Sequence, residues 1–341
     1  MKHKNFSYAK YGYIFCIPFV VIFLIFALYP LVYTIAISFT DRQGLALPDD
    51  KVQIQTRIVI DETGNEVEKT APFENYRNVL NMETFRNALR VTFHIWIVNF
   101  LPQLFLAIVL AVWFTSRWTK IKGQGLFKVL FYMPNIITAA TIAMLFNSLF
   151  MFPQGVVNDT LVALGFLERA KDFGVDATAQ RIIVSFIQFW MWYGYTMLIV
   201  ISGIIGLNPQ MYESADIDGA GPLKQFFYIT LPNLRTILVF ILVTSIIGGL
   251  NMFDIPQLYA RGGPGGATTT TSIFIYNQAF RGSYRYNIAS AASIIMFFII
   301  AVLSAVLFYI MRDKDAEKLK KIKKAERKAE RLAQKEAEVV N

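Results

Sequence analysis

Histidine occurs twice in the sequence, as His3 and His94, and cysteine once, as Cys16. That inventory excludes a disulfide within the chain and gives little support to metal ligation or histidine-based catalysis. The run Gly262-Gly263-Pro264-Gly265-Gly266 could cradle phosphate only with a Gly-Lys-Ser/Thr sequence behind it. Thr268 to Thr271 follow instead, so it reads as a flexible turn. The most informative stretch lies elsewhere. It runs Tyr212-Glu213-Ser214-Ala215-Asp216-Ile217-Asp218-Gly219-Ala220-Gly221 and continues through Phe226 and Ile229 to Leu231-Pro232. Asn208-Pro209 ends the preceding helix, and a short helix can then close at Gly219, which adopts positive φ without strain. Pro222 can open a second short helix reaching about Ile229, with Phe226, Phe227 and Ile229 turned toward apolar surroundings. The spacing predicts a helix-turn-helix.

The elements around it are those of a membrane protein. Aliphatic and aromatic residues make up 55% of the 341 residues and charged residues 17%, with the hydrophobicity gathered in long blocks. Six blocks, 11–39, 92–114, 127–149, 182–207, 237–253 and 288–311, come close to or exceed the roughly 20 residues of a bilayer-crossing helix. The first is too long for the core of a removable signal and is expected to remain as an anchor, with Cys16 a thiol among lipids. The fifth is short and carries Gly248, Gly249 and Asn251 ahead of Pro256, which suits either a broken helix lining a pathway or a close helix crossing.

An even number of spans puts both termini on one side. Well over half of the 33 lysines and arginines lie in the termini and in the 115–128 and 207–236 loops, so these are expected in the cytoplasm. Between the first two spans, alternation from Val52 to Ile60 and the turn residues Glu62-Thr63-Gly64-Asn65 predict a small external β-hairpin, either a partner contact or a simple folded loop. The last thirty residues, with Lys318, Lys320, Lys321, Lys323, Lys324, Arg327 and Lys328 among glutamates, read as a charged helical tail that could also attract anionic lipid. The resulting partition is 1–40 for the N-terminus and first span, 41–91 for the external loop, 92–311 for a five-helix core and 312–341 for the tail. Nothing in it points to nucleic acid.

The pattern Glu-x-Ala, three residues, Gly, nine residues, Ile-x-Leu-Pro resembles the EAA loop of ABC importer permeases. Glu213, Ala215, Gly219, Ile229, Leu231 and Pro232 hold the expected positions, with Ser214 where alanine is usual. Phe73-Glu74-Asn75-Tyr76, Phe131-Tyr132-Met133-Pro134-Asn135, Asp218-Gly219-Ala220-Gly221 and Gly262-Gly263-Pro264 are similar to the carbohydrate branch that includes the maltose-type subunit. The large external domain of that subunit has no counterpart, so the resemblance does not extend to maltose itself. It implies an all-α polytopic chain of the type I (MetI-like) permease fold in the bacterial inner membrane, with no catalytic residue, metal or cofactor of its own. It also implies an ATPase joint over 208–232, made by Glu213, Ser214, Ala215, Asp218, Gly219, Ala220, Gly221, Leu231 and Pro232. Partners implied are a second permease, two ATPase subunits that carry ATP and Mg, and an extracytoplasmic solute-binding protein.

Ionisable groups are scarce within the spans. His94 and Asp254 are the visible cases, which argues against ion-driven transport and leaves His94 with a packing or interfacial role. A sugar passage wants aromatic faces and amide or hydroxyl groups, such as Gln188, Trp190, Trp192, Tyr193, Tyr195, Ser245 and Asn251. By resemblance, the positions nearest substrate are Tyr193, Gly194, Ser245, Gly249, Met252 and Asp254. Each of these residues is also suited to lipid contact or helix packing. The other readings open at this point are a permease for a non-sugar solute and an integral-membrane enzyme.

Overall fold

The computed structural model describes residues 9–44, 53–60, 65–117, 122–282, 284–311 and 326. The charged tail and the lysines of the extreme N-terminus, to which the sequence assigns roles, lie outside the described residues apart from Glu326. Among the described residues five helices are long and apolar enough to cross a membrane: Gly12–Ser38, Glu83–Thr115, Ala177–Ile205, Arg235–Leu258 and Tyr286–Met311. Gln124–Ile136 and Ala139–Leu149 are together apolar enough for a sixth, but the two helices are bent by 92°, the geometry of a broken span or of a re-entrant loop.

That bend corrects the straight span expected over 127–149. Pro134 removes one backbone donor near the end of the first half. Ile137 and Thr138 then turn extended, with ψ of 137° and 145°, and the Thr138 side chain accepts the Thr141 N–H at 3.3 Å. The second half therefore starts as a newly capped helix. In the first span, a π turn over Leu24–Leu28 precedes Tyr29-Pro30 and widens the helix where the proline ring would otherwise meet a carbonyl of the preceding turn. No part of that span's most apolar stretch is buried within the chain, and it is apolar all round. The fifth span runs unbroken through Gly248 and Gly249 to Leu250; its interruption falls later, at 251–253, before Asp254–Leu258.

The chain divides into two units. One comprises 1–93, 172–180 and 251–299; the other 94–171, 181–250 and 300–341. In the first, Val79, Phe85, Ala88, Phe274, Ile288, Ala291 and Ala292 form a core, with Phe85 and Phe274 packed edge to face at 5.3 Å. Two strands, β1 (Thr56–Ile60) and β2 (Glu66–Thr70), pair antiparallel from Thr56 opposite Thr70 to Ile60 opposite Glu66. The hairpin is as expected; its 61–64 turn lies outside the described residues.

The glycine run forms a packed turn. Arg261 and four of its glycines hold positive φ, and Thr268, Thr270 and Thr271 behind it are wholly buried. Thr271 N–H donates to Thr92 Oγ1 at 2.9 Å. Burial raises the Tyr259 hydroxyl to about 12, against the opposing pull of a hydrogen bond with Gln180, so it stays protonated at any physiological pH.

The root of the hairpin is held by one buried amide. Asn75, 1% exposed, donates to the carbonyls of Ser38 at 3.0 Å and Thr40 at 2.7 Å, and its oxygen accepts from the Asn287 side chain at 3.2 Å. Asn287 in turn donates its backbone N–H to Arg42 at 3.1 Å, while Ser38 Oγ and Tyr76 OH share a bond of 2.6 Å. The end of the first span, the helix Glu74–Asn81 and the start of the last span thus meet at one residue. Asn75→Ala strands two carbonyls and an amide, and is expected to cost on the order of 2–3 kcal/mol. Tyr76→Phe, which loses one shared bond, should cost about 1 kcal/mol. Thermal unfolding of the purified chain in detergent measures both, and equal midpoints for the two variants would contradict the assignment.

Candidate functional site

The helix-turn-helix is present and more rigid than its sequence alone requires. Asn208 caps the helix Pro209–Ile217 by accepting from Gln210 N–H at 3.0 Å. The helix closes with Gly219 at φ +72°, where Gly219 N–H donates to Asp216 O at 3.1 Å and Ala220 N–H to Ala215 O at 2.9 Å. This pair of bonds is the Schellman arrangement, which needs a left-handed residue at that place. Gly221 then leads into Pro222–Gln225, which continues as a π turn over Phe226–Thr230 and on through Leu231 and Pro232.

Two side-chain bridges join the short helices. Buried Gln225 donates to Asp216 Oδ1 at 2.5 Å and to the Ala220 carbonyl at 2.8 Å, and Tyr212 OH shares a bond of 2.9 Å with Thr230 Oγ1. Neither Gln225 nor Thr230 stood out in the sequence, since a polar residue in a loop between spans has many uses. The available signal was their place on a short helix otherwise rich in apolar residues.

Of the residues assigned to this joint, Ala215 is buried, Ala220 and Leu231 are half-buried, and Glu213, Ser214, Asp218, Gly219, Gly221 and Pro232 are exposed. Glu213 lies 3.8 Å from Arg117, with both side chains well exposed. Phe226 and Ile229 are half-buried, as the pattern anticipated, whereas Phe227 is exposed together with Ile217, Leu223 and Tyr228. Arg235, where the loop re-enters its span, donates to the Ile310 carbonyl at 3.4 Å and caps the end of the last span.

The residues assigned to a passage fall into two groups. In the second unit Tyr193 is buried, stacked on Phe189 at 5.7 Å and edge-on to Phe131 at 6.3 Å. A β-carbon on Gly194 would meet the Phe131 carbonyl, so two backbones cross closely at that point. Ser245 Oγ accepts from Trp96 Nε1 at 3.0 Å, and a β-carbon on Gly249 would run into the same indole ring. Trp96, stacked on Phe100 at 5.9 Å, therefore lies across the fifth span between Ser245 and Gly249, and sequence reading did not single it out. In the first unit Asn251 and Asp254 are exposed, while Met252 is buried and its carbonyl accepts from Thr270 Oγ1 at 2.9 Å. His94 is exposed, and among the described residues no cluster of His, Cys, Asp and Glu could hold a metal.

Residues 82–314 match the family described as the binding-protein-dependent transport system inner membrane component. The chain belongs to this family. It is an inner-membrane, multi-pass transport component. The permease is 28% identical over 307 residues to the lactose transport system permease protein LacF of Rhizobium radiobacter, covering 89% of this chain and 94% of the relative. It is 30% identical to the sulfoquinovosyl glycerol transport system permease protein SmoG of Agrobacterium fabrum, over 71% of this chain and 77% of that one. In fold it is similar to a chain of a bacterial alginate ABC transporter solved with an alginate pentasaccharide-bound periplasmic protein, with a TM-score of 0.72 at 23% identity, covering 88% of this chain and 93% of that one.

The glycine pair of the permease gives a direct check. Gly248 faces open space, so Gly248→Ala should stabilise its helix by roughly 0.5–1 kcal/mol. Gly249→Ala must push the Trp96 ring aside and break its bond to Ser245, at a cost of about 1–3 kcal/mol. Unfolding midpoints in detergent should move in opposite directions, and Trp96→Phe should recover part of the loss only in the Gly249→Ala background.

Proposed function

We propose that this chain is one permease of an ATP-driven importer for a di- or oligosaccharide, and that it forms half of the translocation pathway beside a second permease. Two separate ATPase subunits bind ATP and Mg, and an extracytoplasmic solute-binding protein delivers the sugar. Support for carbohydrate comes from the relatives named for lactose and for trehalose/maltose, the latter 28% identical over 89% of this chain. The aromatic and hydroxyl groups at Trp96, Tyr193 and Ser245 suit sugar faces and their OH groups. The bent third segment counts as a span, both termini are cytoplasmic, and the hairpin is external.

The observation that carries the coupling reading is the doubly bridged helix-turn-helix. A lever transmits force only if it does not flex, and Gly219, Gln225 and Tyr212 fix this one internally. It also presents Ile217, Leu223, Phe227 and Tyr228 unburied, at 87%, 74%, 58% and 80% exposure, the kind of surface a cleft in an ATPase would cover.

A β-carbon at Gly219 would meet nothing within 4 Å, so backbone strain at its positive φ dominates the cost of Gly219→Val, roughly 1–3 kcal/mol. The variant should insert and assemble, yet lose ATP hydrolysis stimulated by the sugar-loaded binding protein. Glu213→Lys, which also repels Arg117, should lose less. Sugar binding by the external protein should be unchanged in both cases. Assembled variants that transport at the parent rate would overturn the coupling reading.

Orientation has its own test. In intact cells an impermeant thiol reagent should label Asn65→Cys and spare Asn341→Cys, in a background where Cys16 has been replaced. The reverse pattern would place the termini outside.

A further inference from the structure

Behind the coupling helices, within the second unit, a cleft of about 210 Å³ opens where the helices Glu83–Thr115 and Ala177–Ile205 end. Its floor is apolar, made by Val112, Ile204, Ile205, Leu207 and Phe226. Most of its polar lining is already engaged. Thr115 Oγ1 donates to Ala111 O at 2.7 Å, Tyr212 and Thr230 bond each other, and both N–H groups of the Gln225 amide have acceptors. Ser116 has a partner of its own.

Arg117 differs. Its guanidinium brings five donors, while its contacts among the described residues are the Glu213 carboxylate at 3.8 Å, too long for a hydrogen bond, and the face of the Tyr212 ring at 5.7 Å. An ion pair so exposed and so long holds Arg117 weakly. A second cation, Lys128, sits over the Phe114 ring at 5.9 Å at the same helix end. The cleft therefore offers a weakly held guanidinium at the mouth, an apolar floor and a position where two apolar helices end.

We propose that the cleft holds an anionic phospholipid, its phosphate on the Arg117 guanidinium and an acyl chain along Val112, Ile204 and Phe226. A free phosphate would leave the floor unused, and a zwitterionic lipid would bring its own cation to Arg117. The lipid fills the space between the span ends and the two short helices, so it props the coupling element from behind. Binding rests on the cleft alone, whereas any effect on ATP hydrolysis rests on the importer reading above.

The test is native mass spectrometry of the delipidated full-length chain titrated with phosphatidylglycerol, with phosphatidylcholine and with inorganic phosphate. One phosphatidylglycerol should bind in preference to phosphatidylcholine. Arg117→Gln should weaken it about fivefold, the worth of one basic residue beside an anionic headgroup. Val112→Trp, which fills the floor, should weaken it as well. Lys224→Gln, an exposed cation between the lining residues Pro222 and Gln225 but outside the lining itself, should leave it unchanged. Unaltered binding in Arg117→Gln and Val112→Trp, an equal loss in Lys224→Gln, or full competition by inorganic phosphate would each overturn the proposal. Lipid retention is read without transport, so failure of the importer reading would leave it intact.

Discussion

In the hydrocarbon of a bilayer no water is available to a peptide N–H or C=O, so every interruption of a spanning helix has to be closed by the chain itself. The interruptions in this permease are closed by hydroxyls and amides placed for the purpose. Thr138 caps the second half of the bent segment. Thr270 serves two ends at once, taking the Met252 carbonyl with its hydroxyl and receiving the Ile273 N–H. Within intact helices, Thr34, Thr92, Asn99 and Ser185 turn back onto carbonyls of their own helix. Many of the polar groups that hydropathy flags inside the spans are thus engaged by backbone, and fewer are left to meet a solute.

This constraint sorts the residues that resemblance assigns to a passage. Gly194 and Gly249 act through what they lack: one lets a backbone pass and the other leaves room for an indole ring. Tyr193 belongs to the aromatic packing with Phe131 and Phe189. Trp96 and Ser245 bond each other while each remains half-buried.

Much of the architecture was legible in the residues. Block hydrophobicity located the five long apolar helices, because a run of about 20 apolar residues has few other physical explanations. The spacing around Gly219 foretold a left-handed turn, since a glycine after a short helix and before Gly-Pro has one economical conformation. The 92° bend was less accessible: the apolar count is blind to Pro134 and Thr138 acting together. The Asn75 bond network joins positions 35 and 212 residues apart, and an asparagine beside two aromatics carries no mark of such distant partners. Gln225 was invisible for the same reason, as its value lies in reaching Asp216 across a turn whose shape had first to be known.

The β-hairpin grows from a closed base. Asp41 N–H bonds Gln53 O, Gln55 N–H bonds Phe39 O, and Ala71 N–H bonds Gln55 O, so the chain leaves and re-enters the bundle at points a few ångströms apart. Lengthening a loop between fixed ends costs only about 0.6 kcal/mol per doubling. Whatever hangs beyond this base is therefore interchangeable as far as the membrane helices are concerned: a ten-residue ribbon or a folded domain would impose nearly the same demand on the bundle. A chain built on such a base can gain or lose residues at this loop by insertion and deletion while leaving the packing of its apolar helices untouched.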